Sequence, residues 1–448
     1  MNDKKVTIIG EDVTDLVVYE LERKDIEDGD SVIIEPEALI FRDGTRLGVK
    51  HSGDKLTKFV VSAGTALSRE HDKVTALEVS ENPELSELDI LLTADRTVAG
   101  GGGLNVAKVL GFLGLPAAYL SLHPKGTIKP QIPDGIESRI IELELEQATP
   151  KLNLVISKVK DRGTTIVNDK RIIKHPRNNM DYSAELELPE GVLVLDSVAY
   201  KGLVSRVLSE SARQNITAKK LYGIAALTDK MKGDIAYSVL SHGFDLVMNE
   251  CEICNHANQL CPLLNLSPFI DGQLNLAALL TAANYLRELT KQSYGNYQFI
   301  FVSLGEKGSL AIDKQGRVYY SGVFLPGIEP KNTNAAGDTY TAGIVALTFI
   351  EQTTGMSYSI EDKVKFATAL ARAKIDEKLS SGYIAKLLST PFKFIMLPKS
   401  VSEYANEVLY TRGGMKRVNQ TLLDFIEREE SAIIYYKVKP KVIANVRT

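Results

Sequence analysis

Hydrophobic positions along this chain fall into two forms. Short runs are apolar at nearly every position: residues 6–9, 117–120, 192–195, 245–248 and 299–302. Runs of that length without alternation predict strands buried on both faces. Longer stretches carry apolar residues at helical spacing. Val106, Val109, Leu110 and Leu113 form one such stripe, which stops at Gly114; residues 276–289, 344–350 and 363–374 form others. Strands and helices alternate, which predicts an α/β fold with a doubly wound, mostly parallel sheet flanked by helices.

Two segments break this rhythm. Residues 30–80 and 150–175 are rich in β-branched and charged residues. Turn signals at Asp43-Gly44, Ser52-Gly53-Asp54 and Asp161-Arg162-Gly163 punctuate them. They predict a small β-rich lid drawn from about 18–95 and 150–180, inside a main domain of residues 1–390. Beyond Pro391 the pattern changes to mixed helix over 400–427 and a basic, strand-like run over 433–442. Residues 391–448 are therefore expected to be a C-terminal appendage.

Composition narrows the function classes. The 448 residues are 44% hydrophobic, enough for one large core, and the formal charge of −4 gives no global attraction to nucleic acid or anionic lipid. No apolar run is long enough to span a bilayer, and residues 1–5 lead into a strand rather than a signal-peptide core. Three cysteines between 251 and 261 make no disulfide framework. The expectation is a cytoplasmic protein without nucleic-acid or membrane partners.

The chemistry concentrates where glycine-rich turns open helices. Gly100-Gly101-Gly102-Gly103-Leu104-Asn105 feeds the stripe beginning at Val106. Asn334-Ala335-Ala336-Gly337-Asp338-Thr339 feeds the apolar run at 344. The first N–H groups of a helix lack partners within it and carry partial positive charge, so such an end can hold phosphate. Asp338 at that end serves either as an ordinary N-terminal acid or as a base that takes a proton from an attacking hydroxyl.

With both motifs in order, and with Asn249-x-x-Glu252 and Ser303-Leu304-Gly305-Glu306-Lys307-Gly308 between them, the chain resembles the ribokinase-like (PfkB-type) family of carbohydrate kinases over roughly 1–390. The resemblance implies a kinase that uses ATP and Mg²⁺ to phosphorylate a hydroxyl of a sugar or sugar-like substrate. Asp338 is then the base, and Ala335, Ala336 and Gly337 the anion hole. Asn249 and Glu252 organise Mg²⁺, Ser303, Gly305 and Gly308 line the nucleotide side, and Asp15, Gly101, Gly102 and Asn105 grip the substrate. It also implies a homodimer joined through the lid.

Two departures stand out. The family usually has Gly where this chain has Ala335, which a methyl suits only if φ stays negative. The phosphofructokinase branch usually carries Lys where this chain has Gly102, which inclines the substrate toward a neutral sugar or nucleoside. Alternatives are a catalytically silent binding protein and an ADP-dependent sugar kinase. Cys251-x-x-Cys254 with His256 and Cys261 has a metal-like spacing, but Cys251 and Cys254 are expected to share a helix face and pack in the core rather than to ligate a metal.

Overall fold

The computed structural model describes residues 4–10, 100–123, 134–142, 190–196, 203–210, 239–325, 335–411 and 413–428 with their side chains, positions 132 and 188, and the backbone of further strands and one longer helix. In chain order the elements used below begin with β1 (Lys5–Ile9), β2 (Val13–Val18), β3 (Arg96–Gly100) and α1 (Gly102–Phe112). Next come β4 (Ala117–Pro124), β5 (Ile136–Leu143), β6 (Lys151–Asp161), β7 (Thr164–Ile173), β8 (Gly191–Asp196), α2 (Lys201–Arg213) and β9 (Lys220–Gly223). Then follow β10 (Asp245–Asn249), α3 (Glu250–Leu260), α4 (Leu276–Tyr294), β11 (Ile300–Ser303), β12 (Ser309–Ile312), β13 (Arg317–Ser321), α5 (Ala336–Thr354), α6 (Ile360–Ile375) and α7 (Ser381–Leu388). The series closes with β14 (Phe392–Ser400), α8 (Val401–Tyr410), α9 (Gly414–Arg428) and β15 (Ile433–Ile434).

One sheet organises the molecule, in the order β5-β4-β1-β8-β9-β10-β11-β12-β13-β14-β15. Neighbours from β5 to β11 are parallel, and from β11 onward they are antiparallel. The all-apolar strands are explained by burial on both sides. Val6, Ile8, Val192, Val194, Val247 and Phe301 enter the core under α1, α5, α6 and α7. Ile9, Leu193, Leu195, Leu246, Met248 and Val302 enter the opposite core with α2, α3, α4, α8 and α9. Alternate side chains of one strand thus feed two layers, as the strand period of two requires. Helices α5 and α6 cross so closely that a Cβ on Gly343 would lie 2.5 Å from the Ala367 Cα.

A second sheet, drawn largely from the segments expected to form the lid, has the order β3-β2-β6-β7, with the strand Leu21–Arg23 also paired to β6. Strands Val32–Glu35, Ala38–Phe41, Arg46–Gly48 and Phe59–Val60 form a further small antiparallel sheet. The chain leaves the main sheet after β1, enters the second sheet at β2, and returns through β3 directly into Gly101 and α1. The glycine loop therefore lies at the junction of the two sheets.

The segment expected to stand apart after 391 does not do so. Phe392–Ser400 pairs with β13 in the main sheet, and Leu397, Val401, Tyr404, Val418, Leu422 and Ile426 join the same core as α4. Its pattern read as a break because the strand lies near the sheet's end, contains Pro398 and exposes Met396. Among the described residues, no helix is long and apolar enough to cross a membrane.

Candidate active site

The glycine loop owes its composition to close backbone approach. Gly101 has φ 101, a value side chains disfavour, and serves as N-cap of α1 without any side-chain cap bond. A Cβ on Gly103 would lie 2.8 Å from the Gly10 Cα, so α1 begins directly on the end of β1. A Cβ on Gly102 would lie 3.0 Å from Asp196 Oδ2 and 3.2 Å from Asp338 Oδ1. Two carboxylates therefore flank this position. Asp196 is the last residue of β8, 2% exposed, and its Oδ2 accepts a hydrogen bond from the Gly103 N–H at 2.6 Å.

Helix α5 opens differently from its neighbours. Among the seven α-helices whose N-cap is described, five are closed by the N-cap residue's own side chain: Asn249, Asn275, Ser359, Ser380 and Ser400. The two without a cap bond, α1 and α5, are the two that meet at this site. Ala335 is the N-cap of α5, and its carbonyl accepts from the Thr339 N–H at 2.9 Å and the Thr339 hydroxyl at 2.7 Å. Space above the turn is open, because a Cβ on Gly337 would meet nothing within 4 Å. Asp338 lies in this first turn, and its Oδ2 accepts from the Asn105 side-chain amide at 2.8 Å. Asn105, expected as a substrate contact, is thus bonded to the candidate base.

Ala335 corrects the expectation of a negative φ. It adopts φ 58, ψ 20, the left-handed region that costs a residue with a Cβ about 1 kcal/mol.

The start of α3 sits on the same sheet edge, where Asn249 and Ser303 are register partners on β10 and β11. Asn249 Oδ1 accepts from the Glu252 N–H at 2.8 Å, and Glu252 Oε2 accepts from the Asn249 N–H at 2.8 Å, a reciprocal capping box. Glu252 is 4% exposed. Burial holds its carboxyl well above the ordinary range, partly offset by the Asn249 N–H and reinforced by the negative charges of Glu250, Asp338 and Asp196. A cation would relieve that crowding, so the donor chemistry suits Mg²⁺. Among the described residues no three His, Cys, Asp or Glu side chains converge to hold an ion alone. Mg²⁺ is compatible with this, since it keeps several waters and takes one or two carboxylates plus phosphate oxygens.

The turn after β11 is conformationally fixed. Gly305 has φ 57 and Gly308 φ 100, and a Cβ on Gly308 would lie 1.9 Å from the Ser321 carbonyl oxygen. This turn is tied to α5, since the Tyr340 hydroxyl donates to Ser309 Oγ at 3.2 Å and Ser309 Oγ lies 2.7 Å from Ser321 Oγ.

The structure thus gathers Gly101, Gly102, Asn105 and Asp338 around one point, with Ala335, Ala336 and Gly337 forming the open helix end. Asn249, Glu252, Ser303, Gly305 and Gly308 lie along the adjoining edge. Asp15 is placed by backbone only, on β2 opposite Val98 and Asn153 of the lid. Asn334 falls outside the described residues. Asp196 was not anticipated; its signal in the sequence is an acid closing an otherwise apolar strand in a doubly wound sheet. Cys254 is buried in the α3 core, and burial raises its thiol pKa; His256, also buried, is pushed down to about 4.

Helix ends opened by small residues at the carboxyl ends of a parallel sheet, with an acid between them, form a place where an anion such as phosphate can bind. The profile of pfkB family carbohydrate kinases matches residues 75–384, more than half of the chain, and the chain belongs to that family. Among solved structures, the chain resembles Anopheles gambiae adenosine kinase in complex with P1,P4-di(adenosine-5) tetraphosphate. That match has a TM-score of 0.51 and 15% identity, covering 84% of this chain and 96% of that one, and it shows the shared fold. Ribokinase from Cryptococcus neoformans in complex with ADP gives a TM-score of 0.49 and 13% identity, covering 83% and 94%. Phosphofructokinase-2 from Escherichia coli with substrates and products gives 0.45 and 14%, covering 86% and 99%. No curated protein sequence matches the chain.

Proposed function

We propose that this protein is an ATP- and Mg²⁺-dependent kinase that transfers the γ-phosphate to a hydroxyl of a sugar or sugar-like acceptor. The observation that carries the reading is Asp338 in the first turn of an uncapped α5, oriented by Asn105. Asp338 takes the proton from the acceptor hydroxyl. The N–H groups of Ala336, Gly337 and Asp338 stabilise charge on the moving phosphoryl group. Glu252, with Asn249 fixing its turn, would hold Mg²⁺, which supplies charge neutralisation at the phosphates. Ser303, Gly305 and Gly308 face the nucleotide, and Asp15, Gly101 and Gly102 the acceptor. The lid excludes water and pairs two chains into a dimer, and the protein works in the cytoplasm.

The acceptor class favoured is a neutral sugar or nucleoside, because Gly102 brings no cation and two carboxylates flank it. The test is a nucleotide-turnover screen with ATP and ADP as donors and free sugars, sugar phosphates and nucleosides as acceptors. Turnover with ATP and a neutral acceptor is expected; a tenfold preference for a sugar phosphate overturns the acceptor class, and a preference for ADP overturns the donor. A second reading, a silent relative that binds without turnover, is favoured by Ala335 at φ 58. Binding of nucleotide and sugar with no turnover across the panel would establish it.

A further inference from the structure

We propose that Asp196 is a positioning residue of this site: its carboxylate holds the start of α1 against the sheet and, through Asn105, sets the direction of Asp338. The inference rests on the phosphoryl-transfer reading above. Helix α1 has no cap of its own, since Gly101 has no side chain. Asp196 supplies the missing acceptor from a strand 93 residues away, through the 2.6 Å bond from the Gly103 N–H. A carboxylate at a helix N-terminus is favoured by the partial positive charge there, and a charge-assisted bond is stronger than a neutral one.

The anchor itself is rigid. Strand β8 is bracketed by β1, where Ile9 pairs with Leu195, and by β9, where Asp196 pairs with Gly223. Gly103 also rests on Gly10, so the first turn of α1 is fixed at two points on neighbouring strands. Two residues further along α1, Asn105 donates to Asp338 Oδ2 at 2.8 Å. A shift of α1 relative to β8 therefore moves the group that orients the base.

Geometry separates the roles of the two carboxylates. Asp196 is 2% exposed and its Oδ2 is committed to the Gly103 N–H, whereas Asp338 is half-buried at the open end of α5. Asp338 is placed to receive a proton from substrate, and Asp196 is placed to hold the loop.

The test compares Asp196→Ala and Asp196→Asn in the full chain. Asp196→Ala is expected to lower kcat/KM for the acceptor by on the order of 10²-fold, the scale of a misplacement of about 1 Å, with nucleotide KM changed by no more than about twofold. Asp196→Asn keeps an acceptor oxygen and is expected to recover most of that loss, with the acid limb of the pH–rate profile unmoved. Amide exchange at Gly103, which needs no activity, should speed up in Asp196→Ala and much less in Asp196→Asn. Unchanged Gly103 protection in Asp196→Ala overturns the proposal. So does an Asp196→Asn variant as impaired as Asp196→Ala with its acid limb lost, which would make Asp196 the base. If Asp196→Ala fails to fold, Asp196→Asn with wild-type Gly103 exchange and an unmoved acid limb supports the positioning role, and accelerated exchange with a lost limb refutes it. If the unmodified protein phosphorylates nothing, the function reading fails, and the exchange comparison still decides whether Asp196 holds the loop.

Discussion

Helices α3 and α5 begin on the same edge of the same sheet, and each has an acid at its third position, Glu252 in one and Asp338 in the other. In α3 the N-cap is Asn249, whose side chain and backbone exchange hydrogen bonds with Glu252, so the helix end is satisfied by its own residues. In α5 the N-cap is Ala335, which has nothing to offer the N–H groups, and Asp338 bonds instead to Asn105 of another helix. A single residue type at the cap thus decides whether the acid closes its own helix or is left to bond elsewhere. Ala335 gives the first N–H groups of α5 no side-chain cap bond, and a helix end left open in this way is suited to binding an anion.

Four experiments break or sharpen this contrast. The largest effect is expected at the open end. Asp338→Asn keeps size and loses proton affinity, so turnover should fall by at least ~10²-fold with nucleotide affinity nearly unchanged. Near-wild-type turnover would reduce Asp338 to an ordinary first-turn acid, no different in kind from Glu252.

The second concerns the closed helix, whose buried His256 has its pKa depressed by burial to about 4 from 6.5. The unfolded chain binds the proton more readily, so stability is fully present above pH 6.5 and is lost as pH falls toward 4. Between pH 6.5 and 5 the loss attributable to this group should be roughly 1.5 kcal/mol. Chemical denaturation of the wild type and His256→Gln across that window should show a shallower acid slope in the variant; parallel curves would mean that His256 is not buried neutral.

Third, Glu252→Gln retains an oxygen to accept the Asn249 N–H, so the cap should survive while the negative charge is lost. The Mg²⁺ concentration for half-maximal rate should rise by about 3- to 10-fold. An unchanged Mg²⁺ titration would assign the Asn249–Glu252 pair to helix closure alone.

The smallest effect is Ala335→Gly. Relief of the left-handed strain, offset by a more flexible unfolded chain, should stabilise the protein by about 0.5–1 kcal/mol with activity retained. Destabilisation in thermal melts would show that the Ala335 methyl is held by contacts that outweigh its backbone strain.

Much of this was legible in the sequence, for identifiable reasons. Strands β1, β8, β10 and β11 are buried on both faces and so appear as unbroken apolar runs, and α1 and α5 announce themselves by glycine or small residues followed by a helical stripe. The strands β5 and β14 did not, because strands toward the ends of a sheet carry charged and exposed positions that dilute the pattern. Asp196 was invisible because its partner is 93 residues away: nothing local to Val192, Leu193, Val194 and Leu195 says which helix their strand will cap. Likewise the motif at 249–252 reads the same whether it serves a metal or its own helix, and only the reciprocal bonds reveal the second use.

The placement of β14, α8 and α9 has a consequence for how the chain is made. Residues 392–394 close one core and residues 397–426 close the other, on opposite faces of the sheet. The strand β1, synthesised before the rest, waits in the middle of the sheet for β4 and β8. The first layer cannot seal until residue 394 has left the ribosome, nor the second until residue 426, so the growing chain must carry apolar sheet and helix surface in the open for most of its synthesis. Closure over so long a span of sequence slows folding and prolongs the exposure of aggregation-prone surface.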